Sequence, residues 1–146
     1  MADAIRVLYV DDNATSLEFR SHVLSEFDSI AVSTATTVTA GLERLDRGDI
    51  DCVLSDLNMP NRDGMEFLAA VRERHPQLPF ILLTGLQPDE VVEAALEANV
   101  TDYVVKDDAA GFHDVLVNRI EQFVAHYRIK KHLQEVSDHD TSPTSR

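Results

Sequence analysis

Asp11, Asp12, Asp56, Thr84 and Lys106 carry the chemistry this sequence can do, and each stands at or just past the end of a short apolar run. Carboxylates gathered in one crevice either raise one another's pKa or recruit a cation. A hard divalent ion is the natural answer. Mg²⁺ takes oxygen ligands, keeps several waters and typically uses one or two carboxylates together with phosphate oxygens. Asp12 and Asp56 would be direct ligands, Asp11 would act through water, and the backbone carbonyl of Asn58 could supply another oxygen. A carboxylate can also attack phosphorus to give an acyl phosphate, and Asp56 is the placed candidate. Phosphoryl transfer needs charge neutralisation on the equatorial oxygens more than covalent help, so the metal, the Lys106 ammonium and the Thr84 hydroxyl form a sufficient set. A lone lysine or a strand-end threonine is ordinarily structural; the joint placement carries the weight.

That placement depends on the elements between these residues. Ile5-Arg6-Val7-Leu8-Tyr9-Val10 is a mostly apolar run stopped by Asp11-Asp12-Asn13, as expected of a strand buried on both faces. Leu17, Val23, Leu24 and Phe27 recur at roughly helical spacing behind the capping candidates Asn13 and Thr15. A short strand is expected near 30–34. Val38, Leu42 and Leu45 then give a second helix behind Thr36 and Thr37, with Gly48 as its stop signal. Cys52-Val53-Leu54-Ser55 ends directly at Asp56. Asp63 and Glu66 have the spacing of a capping box for a third helix that ends before Pro76. Phe80-Ile81-Leu82-Leu83 is a fourth strand, and a fourth helix after Pro88 turns Val91, Val92, Ala95 and Leu96 inward. Tyr103-Val104-Val105 is the fifth strand. Phe112, Leu116, Ile120, Phe123 and Tyr127 mark a long last helix.

Five strands alternating with five helices on short loops predict an α/β fold, a doubly wound five-stranded parallel sheet of flavodoxin-like (βα)5 type. In such sheets ligands bind beyond the carboxyl ends of the strands, so one geometric rule gathers the five residues into one crevice. About 15 helical residues at 1.5 Å each span roughly 22 Å, enough to cross the sheet, and that length is met near His126. The helical pattern continues through Tyr127, Ile129 and Leu133, which suggests an output element that exposes Tyr127, Ile129, Leu133 and Val136 for contact with a second copy or a downstream domain. The composition of Val136 to Arg146 predicts a disordered tail or a linker.

At 146 residues the chain has the size of one compact domain. The single cysteine, Cys52, excludes an internal disulfide and a cysteine-based zinc cluster, and sits in a run that makes it a small buried hydrophobe. A net charge of −13, from 26 acidic against 13 basic residues, argues against direct binding of nucleic acid or an anionic membrane. Only Lys106, Lys130 and Lys131 are lysine, and an acidic surface with more Arg than Lys resembles that of haloarchaeal proteins. No secretion signal or membrane span is visible, so the expected location is cytoplasmic. The six histidines show no ligand spacing and read as surface or boundary residues.

The motifs together resemble the response-regulator receiver family, of the chemotaxis CheY type, over about residues 4 to 125, with 126 to 146 as a helical extension and flexible tail or linker. The resemblance is carried by Asp11-Asp12, the stretch from Asp56-Leu57-Asn58-Met59 through Pro60-Asn61-Arg62-Asp63-Gly64, Thr84-Gly85, and Tyr103-Val104-Val105-Lys106. It implies that Asp56 accepts phosphate from a histidine kinase or phosphotransfer protein, that Asp11 and Asp12 hold Mg²⁺, and that Lys106 binds the phosphoryl group. It further implies that Thr84 moves toward the phosphate and that Tyr103 rotates inward to report it. A homodimer or a downstream output domain would be reached through the last helix. One departure is visible: the family usually follows its lysine with a proline in a cis bond, whereas Asp107 follows Lys106.

Other classes fit less well. A haloacid-dehalogenase-type Mg²⁺ phosphatase wants a second aspartate two residues after its nucleophile, where this chain has Asn58. A flavodoxin holds the FMN phosphate after its first strand, where Asp11-Asp12 would repel it. A degenerate receiver acting only as a docking module would not retain every phosphorylation residue.

Overall fold

In a computed structural model, which describes residues 4–59, 62–107 and 109–144 and places side chains through Val136, the five strands and five helices alternate as the periodicities predict. The strands are β1 (Ile5–Val10), β2 (Ile30–Ala35), β3 (Cys52–Ser55), β4 (Phe80–Thr84) and β5 (Asp102–Val105). The helices are α1 (Ala14–Ser25), α2 (Val38–Asp46), α3 (Gly64–Arg74), α4 (Asp89–Glu97) and α5 (Phe112–Thr144). All strand pairs are parallel, in the order β2-β1-β3-β4-β5.

Alternation along each strand sends side chains to two separate cores. Val7, Tyr9, Cys52, Leu54, Ile81 and Leu83 meet Leu17 and Leu24 of α1 and Leu116, Ile120 and Val124 of α5. Leu8, Val10, Val53, Phe80 and Leu82 meet the inner faces of α2, α3 and α4. Each such fully buried aliphatic or aromatic side chain contributes about 1.5–3 kcal/mol, which is why the central strands read as nearly continuous apolar runs. Cys52 is buried, as its neighbours implied.

The helix starts follow the caps expected from sequence. Asn13 accepts from Ser16 N at 3.0 Å and Thr37 from Ala40 N at 3.0 Å. Asp63 and Glu66 form the full capping box, with Glu66 N to Asp63 Oδ1 at 2.9 Å and Asp63 N to Glu66 Oε1 at 3.2 Å. Gly48 takes φ +83° after α2, the left-handed conformation that ends a helix without a Cβ penalty.

Two expectations are corrected. Leu96, assigned to the inner face of α4, is 60 % exposed; Ala95 and Val91 face the sheet, and one further residue turns the helix by about 100°. The segment from Val136 to Thr144, expected to be irregular, continues α5, since no glycine interrupts it and Pro143 falls one residue from the end.

No local pattern marks the side chain that ties the lower loops together. Arg72, on α3, donates through Nε to Asn99 O at 2.8 Å and through Nη1 to His75 O at 2.9 Å and Leu78 O at 2.8 Å. Its Nη2 reaches Thr101 Oγ1 at 3.3 Å, which in turn accepts from Phe80 N at 2.9 Å. Removing these donors leaves three carbonyls to find water, so Arg72→Ala is expected to cost about 2 kcal/mol. Thermal denaturation should show the midpoint falling by about 7 °C. Arg72→Lys should recover little, because one ammonium cannot reproduce a planar fork aimed at four acceptors.

Candidate functional site

The crevice is built by extending the backbone ladder one residue past the strands. Asp11 N donates to Ala35 O at 3.2 Å, Asp56 N to Val10 O at 2.9 Å and Lys106 N to Thr84 O at 2.7 Å. Asp11, Asp56 and Lys106 are thereby aligned side by side at the carboxyl edge. Asp56 is further fixed from below: Leu57 N donates to its Oδ1 at 2.8 Å, and Gly64 N donates to Leu57 O at 2.8 Å, closing the loop between β3 and α3.

Asp11 is fully buried and Asp56 is 9 % exposed, whereas Asp12 and Asn58 face solvent beside them. Carboxylate oxygens of Asp11, Asp12 and Asp56 all lie within 4.8 Å of one another. Lys106 Nζ stands 3.6 Å from both Asp11 Oδ2 and Asp56 Oδ2. One ammonium faces three carboxylates, so the cluster carries excess negative charge. Burial pushes the Asp56 carboxyl above the usual carboxylate range and Asp11 adds to the rise, while Lys106 and the backbone N–H groups of Leu57 and Asn58 oppose it. Asp11 Oδ2, out of solvent, has no hydrogen-bond partner among the described residues. A buried carboxylate oxygen with no hydrogen bond, beside the Lys106 ammonium alone, and an all-oxygen donor set fit a hard divalent cation such as Mg²⁺.

Two hydroxyls lie on the α4 side of this crevice. Leu82 pairs with Tyr103 in the β4–β5 ladder, and Thr84, two residues beyond Leu82, shares its face. Thr84 is buried and Tyr103 half-buried, and neither Thr84 Oγ1 nor Tyr103 Oη has a hydrogen-bond partner among the described residues. Burial also raises the Tyr103 pKa. Asp11, Asp12, Asp56, Thr84 and Lys106 thus stand at the carboxyl edge of the sheet, and Tyr103 lies two residues inside it, opposite Leu82. Pro60 and Asn61 of the loop motif lie outside the described residues. No described peptide bond is cis, so Lys106–Asp107 is trans.

Sequence reasoning missed a buried group behind the site. Arg20 of α1 is 6 % exposed; its Nη1 stands 3.3 Å from His113 Nε2, and its guanidinium lies 5.5 Å from the centre of the Phe112 ring. His113, read from sequence as a surface or boundary residue, is half-buried. An arginine among the apolar positions of α1 carries no local mark that separates it from a solvated one.

The likeness to known proteins agrees with this geometry. The family of the response regulator receiver domain matches residues 7–119. The chain is 34 % identical over 121 residues to chemotaxis protein CheY of Pseudomonas aeruginosa, a match covering 81 % of this chain and 94 % of that one. It is 35 % identical over 105 residues to a protein-glutamate methylesterase/protein-glutamine glutaminase of Rhodopseudomonas palustris, covering 70 % of this chain but 29 % of that enzyme. A solved receiver domain protein from Clostridium thermocellum superposes with a TM-score of 0.76 at 26 % identity, covering 86 % of this chain and 98 % of that structure. No described helix is long and apolar enough to cross a membrane. With the acidic cluster, lysine and threonine at the carboxyl edge of such a sheet, the chain belongs to the response regulator receiver domain family of two-component signalling.

Proposed function

We propose that this receiver takes a phosphoryl group onto Asp56, with Asp11, Asp12, Asp56 and the Asn58 carbonyl as the Mg²⁺ ligands. The observation that carries the reading is the placement of Lys106 Nζ at 3.6 Å from the carboxylates of both Asp11 and Asp56, with Asp12 completing the cluster. Bound Mg²⁺ supplies positive charge to the oxygens of the phosphoryl group. One oxygen of Asp56 attacks phosphorus and the bond to the leaving group breaks, so the enzyme-like part of the reaction is the chain's own modification. Lys106 offers its ammonium to a phosphoryl oxygen, and the Thr84 hydroxyl, which has no hydrogen-bond partner among the described residues, is available to donate to a second. Tyr103, on the same face as Thr84, can follow that hydroxyl inward. The donor is a histidine kinase or phosphotransfer protein, and the chain works in the cytoplasm.

The receiver unit in this reading is 4–125, and 126–146 forms the extension and linker. Arg128 Nη2 bonds Asp51 Oδ2 at 3.1 Å, and Tyr127 packs against the core rather than standing exposed with the residues beyond it, which holds one face of α5 to the domain. Ile129, Leu133 and Val136 are exposed on the other face, since residues spaced by four and three share a helix stripe. That stripe supports a role for the distal helix in contact with a second copy or an output domain.

Incubation with acetyl phosphate and Mg²⁺ should add one phosphoryl group, mapped to Asp56 by peptide mass analysis, and chelation should prevent it. Uptake on another residue, or none, overturns the assignment. Millimolar Mg²⁺ should also raise the melting midpoint by roughly 5 °C over chelator, as a ligand of the native state does. Identical melting in the two buffers would remove the metal site.

A further inference from the structure

Lys106 is held at its own backbone by Thr84 O at 2.7 Å, and α5 begins six residues further along the chain, at Phe112. Asp107 follows the lysine where the resembled family usually has a proline, the bond between them is trans, and Asp107 Oδ1 accepts from Ala109 N at 2.8 Å. At the first turn of α5, Phe112 and His113 are gripped by Arg20 from α1. That grip includes these contacts. Arg20 Nη1 meets His113 Nε2 at 3.3 Å. The guanidinium stacks 5.5 Å from the Phe112 ring centre. The Phe112 and His113 rings meet edge-on at 5.3 Å, and Phe19 of α1 meets His113 edge-on at 6.2 Å. A guanidinium withdrawn from water is costly unless it is used, and a flat, many-donor cation suits simultaneous stacking and hydrogen bonding.

We infer that Arg20 is a positioning residue for phosphoryl transfer: from α1 it clamps the first turn of α5, six residues after Lys106 in the chain, and so sets where the Lys106 ammonium stands over Asp56. The inference rests on the proposed role of Lys106, and its test separates the two. Misplacing a charge-neutralising group by a fraction of an ångström to an ångström slows a reaction without abolishing it.

The measurement is the rate of phosphoryl uptake from acetyl phosphate in saturating Mg²⁺, taken for the wild type, Arg20→Met, Lys106→Met and the double variant, with melting midpoints alongside. Arg20→Met should still take one phosphoryl group on Asp56, with unchanged half-saturation by Mg²⁺, but about tenfold more slowly. In the Lys106→Met background the same change should slow uptake by less than about twofold, because the group being positioned is already gone. A merely structural arginine would slow both backgrounds equally, and that result overturns the inference, as does an unchanged rate in Arg20→Met. Should Arg20→Met fail to fold, His113→Phe removes the Nε2 acceptor while keeping a ring, and the same dependence on Lys106 is expected at about threefold. Failure of the wild type itself to take phosphate would instead strike the proposed function.

Discussion

Asp56→Asn is expected to abolish phosphoryl uptake and, in metal-free buffer at neutral pH, to melt a few degrees higher than the wild type. The loss is complete because the amide cannot form the acyl phosphate, and Asp11, which shares the lysine, is closed off from solvent. The gain follows from the direction of the Asp56 pKa. Burial, and then the neighbouring Asp11, lift it above the ordinary carboxylate range against the pull of Lys106 and two backbone N–H groups. A raised value means that the folded chain holds the Asp56 proton more tightly than the unfolded chain does. Protonation of Asp56 therefore stabilises the fold below the ordinary carboxylate pKa, and that stabilisation is lost as pH rises through the raised value. At neutral pH the ionised carboxylate is a net cost that the asparagine does not carry. The gap between variant and wild type should close as the buffer is acidified, and saturating Mg²⁺ should reverse its sign, since the variant lacks one of the metal's ligands. A variant that melts below the wild type in chelator at neutral pH would refute the claim that functional charge is held here against stability.

Gly64→Ala should be the most damaging single-methyl change in the protein. A Cβ at Gly64 would run into the Asp56 carbonyl oxygen, and would lie 2.8 Å from Leu57 Cα and 3.1 Å from Leu82 Cδ2. The first two are backbone atoms of the residues that present the phosphate acceptor, so no rotamer change relieves the contact. Overpacking against an immovable neighbour is expected to cost about 4 kcal/mol. The midpoint should fall by about 12 °C or more, with phosphoryl uptake slowed in whatever fraction remains folded. Gly85→Ala is the control, because a Cβ there meets nothing within 4 Å. Equal midpoints for the two variants would show that the β3–α3 loop yields more easily than its closure by Gly64 N and Leu57 O implies.

Which features were readable from the sequence follows from their range. The strands declared themselves because both faces of a parallel sheet are buried, and the caps at Asn13, Thr37 and Asp63 because a cap acts within three residues. The crevice was readable because each acid or donor stands at or just past the end of a strand, so topology alone brings Asp11, Asp12, Asp56, Thr84 and Lys106 together. Arg72 and Arg20 were not. Their partners lie 27 and 93 residues away in the chain, at Asn99 and His113, and neither arginine differs locally from one that simply faces water. Leu96 failed for the opposite reason: an apolar residue one step from the inward stripe of a short helix satisfies the periodicity loosely, and only packing decides its side.

The length of α5 has a mechanical meaning. Its first turn is tied to the segment that follows Lys106, its middle is pinned by the Arg128–Asp51 ion pair, and the 33-residue helix runs on to Thr144. A rod pivoting at Arg128 projects about 24 Å beyond the pivot, so a tilt of about 5° moves its far end by about 2 Å. A rearrangement small enough to leave Leu116 and Ile120 in their packing thus leaves the domain magnified, as a displacement of a stiff arm. Phase is transmitted as well: one inserted residue after Arg128 would swing the stripe of Ile129, Leu133 and Val136 through about 100°. In the proposed output role, such an arm would convey direction and distance together, and its reading would depend on the number of residues between pivot and contact.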